Sequence, residues 1–137
     1  MTDTEKRIMV DMSATIIHHG HVRLLQKAKK LGKVIVALTT DEEILKKKGY
    51  EPELTFNQRS EILLAFRSVD DVVPSPWMID NAFLELHQID LLVHGSDNSN
   101  PIEKNKLIIM PRTEGISSTL IRKKVLETIK NLLSSIN

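Results

Sequence analysis

The stretch RIMVDMSATIIHHGHVRLLQKAKKLGKVIVALTT, residues 7–40, predicts the fold of this chain. Its first six residues form an apolar run typical of a buried strand, and residues 33–40 form a β-branched run typical of a central parallel strand. Between them, residues 20–31 place apolar side chains mostly on one helical face, and Gly32 follows as a stop signal. A strand, a helix and a second strand in this order indicate a βαβ unit.

The rest of the chain continues this alternation. Apolar runs predict three more strands, at residues 70–74, 89–95 and 107–111. Helical patterns start at residue 41 and after Thr55, and lie at residues 82–87 and 118–129, where Thr55 with Gln58 makes a capping-box pattern. We therefore predict one α/β domain over residues 1–137, Rossmann-like, with a parallel, roughly five-stranded sheet flanked by helices and joined by right-handed crossovers. Residues 130–137 either extend the last helix or fray.

The composition excludes several function classes. With 137 residues the chain can bury a hydrophobic core large enough to fold without disulfides or structural metals. Its 19 basic and 18 acidic side chains leave a net charge of +1, which argues against a protein that mainly coats nucleic acid or an anionic membrane. The absence of cysteine excludes disulfides, thiolate metal sites and cysteine nucleophiles. No pattern of a signal peptide or membrane span is found, so we expect a soluble, cytoplasmic protein.

Three histidines, His18, His19 and His21, lie in the loop that follows the first strand. Ligands of parallel α/β sheets bind at the carboxyl ends of the strands. Three interpretations are open: a metal site, which would need further ligands, a solvated turn, and a phosphate site. The third explains Gly20 best, because glycine lets an anion approach the positive N-terminus of a helix. His18 and His21 would then donate ring N–H groups to phosphate, and a bound anion would favour the protonated, doubly donating imidazole.

A second candidate anion site begins the last helix, at PRTEGISST, residues 111–119. Its glycine loosens the turn, and its two serines and second threonine bring hydroxyl and N–H groups to the N-terminus of the helix. Arg112 offers a planar fork of donors for phosphate or for the base. An ordinary serine-rich cap would explain the serines but not the Arg-Thr-Glu-Gly segment before them.

These two segments carry a resemblance to a known family. Residues 18–21 match the HxGH motif of nucleotidylyltransferases, and residues 111–119 resemble the RTEGIS(T/S)T signature of bacterial glycerol-3-phosphate cytidylyltransferases. The resemblance runs from Arg7 to Val125. It implies transfer of CMP from CTP to a small phosphorylated or phosphonate acceptor, such as glycerol 3-phosphate or a related polyol phosphate, with release of pyrophosphate. It also implies Mg²⁺, a homodimer, and neither nucleic acid nor a membrane as partner.

The resemblance also implies roles for individual residues. The residues acting on the reacting phosphates would be His18, His21, Lys48 and Arg112. Further nucleotide contacts would come from Ser13, Ala14, Gly20, Asp97, Thr113, Ile116, Ser117, Ser118 and Thr119. No protein ligand to a metal is assigned. For Lys48, at the end of a run of three lysines, a solvated basic turn is the alternative. Other matches to family positions are Arg59, Arg67, Asp70 and Trp77.

The chain departs from the family just before HxGH. Where the family has GTFD, this chain has Met12-Ser13-Ala14-Thr15, so an acidic residue is replaced by Thr15. Asp11 lies one position before this stretch, and strand alternation predicts that it faces away from the site. We expect an acceptor other than glycerol 3-phosphate. Residues 116–122, ISSTLIR, also resemble the ISSTxxR motif of adenylyl-transferring relatives, including archaeal FAD synthetases. ATP therefore stays open as the nucleotide, as does a nucleotide-binding member without turnover.

Overall fold

Five parallel strands form the centre of the molecule. The computed structural model describes residues 5–95 and 99–136. The strands are β1 (Arg7–Met12), β2 (Lys33–Thr39), β3 (Asp71–Ser75), β4 (Leu91–His94) and β5 (Leu107–Ile109). They pair in the order β3-β2-β1-β4-β5, and all four pairings are parallel. The strand order reverses between β1 and β4, which is where open α/β sheets bind ligands. The predicted five-stranded parallel sheet is confirmed.

In the described part of the chain, five α-helices and one short 3₁₀ helix accompany the strands. They are α1 (His19–Lys29), α2 (Asp41–Lys48), α3 (Phe56–Leu64), α4 (Asn81–Leu86), the 3₁₀ helix (Lys104–Lys106) and α5 (Ser118–Ile136). Residues 130–136 thus extend the last helix. None of the α5 residues is buried. Within the described residues, no helix has the length and apolar character needed to cross a bilayer.

Successive residues of β1 face two different cores, as strand geometry requires. Ile8 and Val10 pack in one cluster, which α1 and α3 complete with Leu25, Ala28 and Leu63. Met9 packs on the other face, in a cluster that includes Leu84 of α4. Helices therefore cover both faces of the sheet, and the central strands are apolar on both sides because neither face contacts water.

Local signals in the sequence explain most helix ends. Thr55 and Gln58 form the predicted capping box, with each side chain accepting the other residue's backbone N–H. Gly49 ends α2 at a φ of 81°, which favours glycine. Gly32, read from the sequence as a helix stop, lies beyond the end of α1 at Lys29 and is glycine for another reason. A Cβ there would lie 2.2 Å from the Lys6 carbonyl oxygen, so glycine is needed where the chain passes that carbonyl to start β2.

Candidate active site

A cleft of about 430 Å³ opens at the carboxyl ends of the central strands. Its volume lies in the range of small-molecule sites, about 300–1,000 Å³. The structure brings twelve of the sequence-predicted site residues to this cleft: Ser13, Ala14, His18, Gly20, His21, Lys48, Arg112, Thr113, Ile116, Ser117, Ser118 and Thr119. Asp97 lies outside the described residues. Two segments about ninety positions apart in sequence thus meet at one site.

The two motif histidines are held in one tautomer by backbone N–H groups. His18 is the N-cap of α1, and its Nδ1 accepts from the Gly20 N–H at 3.1 Å. The Nδ1 of His21 accepts from the His18 N–H, also at 3.1 Å. Since Nδ1 accepts in both rings, the proton of each neutral imidazole is on Nε2. Each histidine therefore offers one Nε2–H donor.

Burial keeps these rings neutral. It lowers the pKa of His21 to about 4, with the positive charges of His18 and Arg112 as smaller causes. Burial also lowers the pKa of His18, with His19 as a second cause. Protonation at Nδ1 would remove the acceptors of two backbone N–H groups. The doubly donating form is therefore disfavoured by the protein's own contacts, and its stabilisation by a bound anion stays a prediction.

Gly20 is required by packing inside the protein. A Cβ at this position would lie 2.8 Å from Cε1 of His18 and 3.3 Å from Cγ2 of Ile116. The first distance is shorter than a carbon–carbon contact allows, so a side chain would push the His18 ring out of its capping position. From the sequence, this glycine is expected to let an anion approach the N-terminus of the helix. The structure shows in addition that glycine lets the two motifs pack together.

The serines of the second motif hold α5 against the first motif. The Ser118 hydroxyl donates to the Ile16 carbonyl at 3.1 Å and accepts from the Ile16 N–H at 3.3 Å. The Ser117 hydroxyl accepts from the Leu120 N–H at 3.1 Å, as a helix cap does. Gly115 precedes them at a φ of 78°. Both hydroxyls thus fix the position of the helix N-terminus, and Ser117, Ser118 and Thr119 line the cleft there.

Lys48 and Arg112 both line the cleft, each beside a different neighbour. The Lys48 ammonium lies 5.6 Å from the centroid of the Trp77 ring, within the range of a cation–π contact. The Arg112 side chain lies over Gly95, where a Cβ would be 3.0 Å from its Nε. Of the three consecutive lysines, Lys48 is the one that lines the cleft.

Arg122 contacts Thr15, the residue that stands where the family has an aspartate. Its Nη2 donates to the Thr15 hydroxyl at 2.7 Å and to Glu53 at 2.6 Å. Its guanidinium also lies 5.0 Å from the Tyr50 ring centroid. Hydrogen bonding to Arg122 lowers the pKa of Glu53, and the same contact raises the pKa of Arg122. Arg122 therefore joins the loop after α2 to the loop after β1.

Arg59 is fully buried and hydrogen-bonds to the same two loops. Its guanidinium donates to four oxygens: the carbonyls of Ser13, Thr39 and Leu54 and the carboxylate of Asp41. Ser13 precedes Ala14, which is buried at a φ of 45°. Holding the Ser13 carbonyl helps maintain this unfavourable conformation. Asp70 is placed elsewhere: it accepts from Lys29 and from the Val34 N–H, away from the cleft.

The structure adds a group that the sequence analysis missed. Asp11 lines the cleft, so the prediction that it faces away is wrong. Its Oδ1 lies 2.6 Å from Nδ1 of His94, and its Oδ2 accepts from Asn100 at 3.1 Å. The three residues come from the ends of β1 and β4 and from the loop after β4, so the parallel pairing of those strands joins them. A carboxylate and a histidine at neighbouring strand ends were the signal available in the sequence.

Comparison with known proteins decides the family. The family described as cytidylyltransferase-like matches residues 13–124. The chain belongs to the cytidylyltransferase-like family. The glycerol-3-phosphate cytidylyltransferase of Bacillus subtilis is 34% identical over 128 residues, which cover 88% of this chain and 97% of the relative. An ethanolamine-phosphate cytidylyltransferase of Dictyostelium discoideum is 31% identical over 96% of this chain and 39% of the relative.

A solved structure confirms the fold of this cytidylyltransferase-like chain. The lipopolysaccharide core biosynthesis protein of Thermoplasma volcanium has a TM-score of 0.67 and 18% identity, covering 80% of this chain and 99% of that one. The relatives are named cytidylyltransferases, which are nucleotidyltransferases. The prediction of a nucleotidyltransferase, made from two motifs, is therefore confirmed at the level of the family.

Proposed function

We propose that this cytidylyltransferase-like chain transfers CMP from CTP to a small phosphorylated or phosphonate acceptor and releases pyrophosphate. The observation that carries the proposal is the meeting of two anion-binding loops at one cleft, with Ile116 of the second against Gly20 of the first. The relatives named for glycerol 3-phosphate and for ethanolamine phosphate support CTP as the nucleotide. Polyol phosphates related to glycerol 3-phosphate are the first acceptors to examine, and glycerol 3-phosphate itself tests the expectation that the acceptor is a different one.

The acceptor supplies the nucleophile in this reaction. One of its phosphate or phosphonate oxygens attacks the α-phosphorus of CTP, and the bond from that phosphorus to pyrophosphate breaks. Catalysis then depends on aligning two anions and on stabilising the charge of the pentacoordinate phosphorus. The Nε2–H groups of His18 and His21 suit this task, because their Nδ1 contacts orient both rings before substrate binds. Lys48 and Arg112 would offset the charge of the leaving pyrophosphate.

We expect Mg²⁺ to enter with the triphosphate. Magnesium usually binds through substrate phosphates and a few carboxylates. Over residues 5–95 and 99–136, no group of three or more His, Cys, Asp or Glu is arranged to hold a metal ion. Phosphate oxygens would therefore supply most ligands, and the ion would neutralise part of their charge. Three further points stay predictions: a homodimer, no nucleic-acid or membrane partner, and a cytoplasmic location. Sedimentation velocity tests the homodimer.

Pyrophosphate release with Mg²⁺ and a panel of acceptors tests the proposed function. CTP and ATP are each paired with polyol phosphates, aminoalkyl phosphates and phosphonates, choline phosphate and FMN. Release with CTP and one acceptor is the expected result. Release with ATP alone would contradict the proposal and favour adenylyl transfer. Binding of CTP without release in any pairing would contradict it in favour of a protein that only binds nucleotide.

Two substitutions of His21 separate its two nitrogens. In His21→Asn the amide oxygen can replace Nδ1 as acceptor while the Nε2–H donor is lost, and in His21→Gln the amide nitrogen can replace Nε2 while the Nδ1 acceptor is lost. We expect His21→Asn to lower the rate by about 10²-fold, the cost of removing one oxyanion-hole donor. His21→Gln should keep more of the activity. The reverse order would contradict the assignment of Nε2 to phosphate.

A further inference from the structure

The second part of α5 stands clear of the domain. The start of the helix is held by Ser118, which hydrogen-bonds to Ile16, and by Arg122, which hydrogen-bonds to Thr15 and Glu53. From residue 123 to residue 136 every residue is exposed. A helical segment of this length has little stability in water unless its apolar side packs on another surface. The described residues of its own domain do not supply that surface.

An apolar stripe runs along this exposed segment. The stripe consists of Val125, Leu126, Ile129, Leu132, Leu133 and Ile136. Its members are between 47% and 77% exposed, the values of Ile129 and Ile136. Residues 125, 129, 132 and 136 recur at intervals of four, three and four, which is the spacing of a seam between two helices. The pattern therefore suits contact with another helix.

A groove of about 330 Å³ adjoins the stripe. It is lined by Ile121, Lys124, Val125, Thr128 and Ile129. These residues form two rows with a spacing of four, one through positions 121, 125 and 129 and one through positions 124 and 128. A groove between two such rows receives a row of side chains from a second helix. Both the stripe and the groove thus fit a helical partner.

We propose that the stripe binds the same stripe of a second copy of this chain, with the two helices antiparallel. A two-fold axis between the helices makes such a contact self-complementary. The seam spacing then sets Val125 opposite the second copy's Ile136, and Ile129 opposite the second copy's Leu132. This inference concerns a surface outside the cleft and does not depend on the proposed reaction.

The charges of α5 favour a second copy and set the direction of pairing. The seam is flanked by uncharged side chains, those of Leu126, Thr128, Leu133 and Ser135. Two copies therefore approach along the seam without like charges meeting. Arg122, Lys123 and Lys124 lie near the start of the helix, whereas residues 131–136 carry no charge. Parallel helices would bring two basic segments together, and antiparallel helices place each basic segment beside an uncharged one.

The size of the contact sets its strength. A standard interface buries about 800 Å² on each side. Residues 123–136 form a segment about 20 Å long and about 10 Å wide, which offers less surface than that. We therefore expect a weak, reversible dimer with a Kd on the order of 10 μM.

Sedimentation velocity on two matched variants tests the surface. Ile129→Glu and Asn131→Glu each add one negative charge to an exposed position of the same helix, the first on the stripe and the second on the opposite side. The unaltered protein should self-associate between about 1 and about 200 μM. Ile129→Glu should raise the Kd of this step at least about tenfold, because pairing would bury two unpaired carboxylates, and Asn131→Glu should leave it unchanged. Absence of self-association, or association that Ile129→Glu does not weaken, would overturn the inference.

Disulfide crosslinking tests the direction of pairing. The chain has no cysteine, so Val125→Cys and Ile136→Cys each introduce a single thiol. A disulfide needs Cα atoms within about 7 Å, so an oxidised mixture of the two variants should crosslink at least about tenfold faster than either variant alone. Faster crosslinking of one variant with itself would show parallel helices and overturn the inference.

An anionic membrane is the other occupant that a basic amphipathic helix could have. Flotation with vesicles of phosphatidylglycerol and phosphatidylcholine distinguishes it. Binding that Ile129→Glu abolishes, in a protein that does not self-associate, would overturn the inference in favour of a membrane surface. We expect self-association with no more vesicle binding by the unaltered protein than by Ile129→Glu.

Discussion

Lowering the pH from 7 to 5 should destabilise this protein through His21. Its pKa is about 4 in the folded chain and 6.5 in the unfolded chain, and burial is the main cause of the difference. Between these values the unfolded chain binds a proton that the folded chain does not. The free energy of unfolding therefore falls as the pH drops below 6.5, and this loss levels off near pH 4.

The size of the effect follows from the two pKa values. At pH 7 both states are mostly neutral at His21, and at pH 5 the unfolded state is almost fully protonated while the folded state is not. The expected loss in the free energy of unfolding between these pH values is about 2 kcal/mol. This is a large share of the stability of a domain of this size.

Urea unfolding at pH 7 and pH 5 measures this loss, and His21→Asn is the control. Asparagine does not titrate, and its amide oxygen can still accept from the His18 N–H that Nδ1 of His21 binds. The original protein should lose about 2 kcal/mol more than the variant over this range. Equal losses in the two proteins would refute the assignment of a depressed pKa to His21.

Three further predictions concern residues around the cleft. Arg59→Met should lower the free energy of unfolding by about 3 kcal/mol, measured by urea titration, because three carbonyls and a carboxylate lose their donor. Gly20→Ala should lower kcat/KM for the nucleotide by about 10²-fold while the fold persists, because the added Cβ displaces the His18 ring. Glu53→Gln should tighten CTP binding, most clearly at low salt in calorimetry, because Arg122 loses the carboxylate that neutralises it. An unchanged affinity at low salt would contradict the last of these.

The parallel sheet could be predicted because its signals are local. Residues 33–39 form β2 since a run of β-branched residues suits a strand that is buried on both faces. The end of α2 at Gly49 and the capping box at Thr55 follow from the same short-range rules. The two candidate phosphate loops are predicted in the same way, because each is a contiguous motif at the start of a helix.

Tertiary structure decided the tautomers of the loop histidines and which other side chains lie beside them. The sequence by itself determined that His18 and His21 flank a glycine, but their tautomers depend on which backbone N–H each Nδ1 meets. Asp11 is predicted from strand alternation to face away from the site. Alternation itself holds, because β1 continues to Met12 with Asp11 paired in register, but the cleft is lined by both Asp11 and Met12 and so takes residues from both faces of the strand. The partners of Asp11, His94 and Asn100, are more than eighty positions away. Contacts between such distant residues arise only when strands pair, so the sequence determined the two candidate phosphate loops and the fold brought the carboxylate to them.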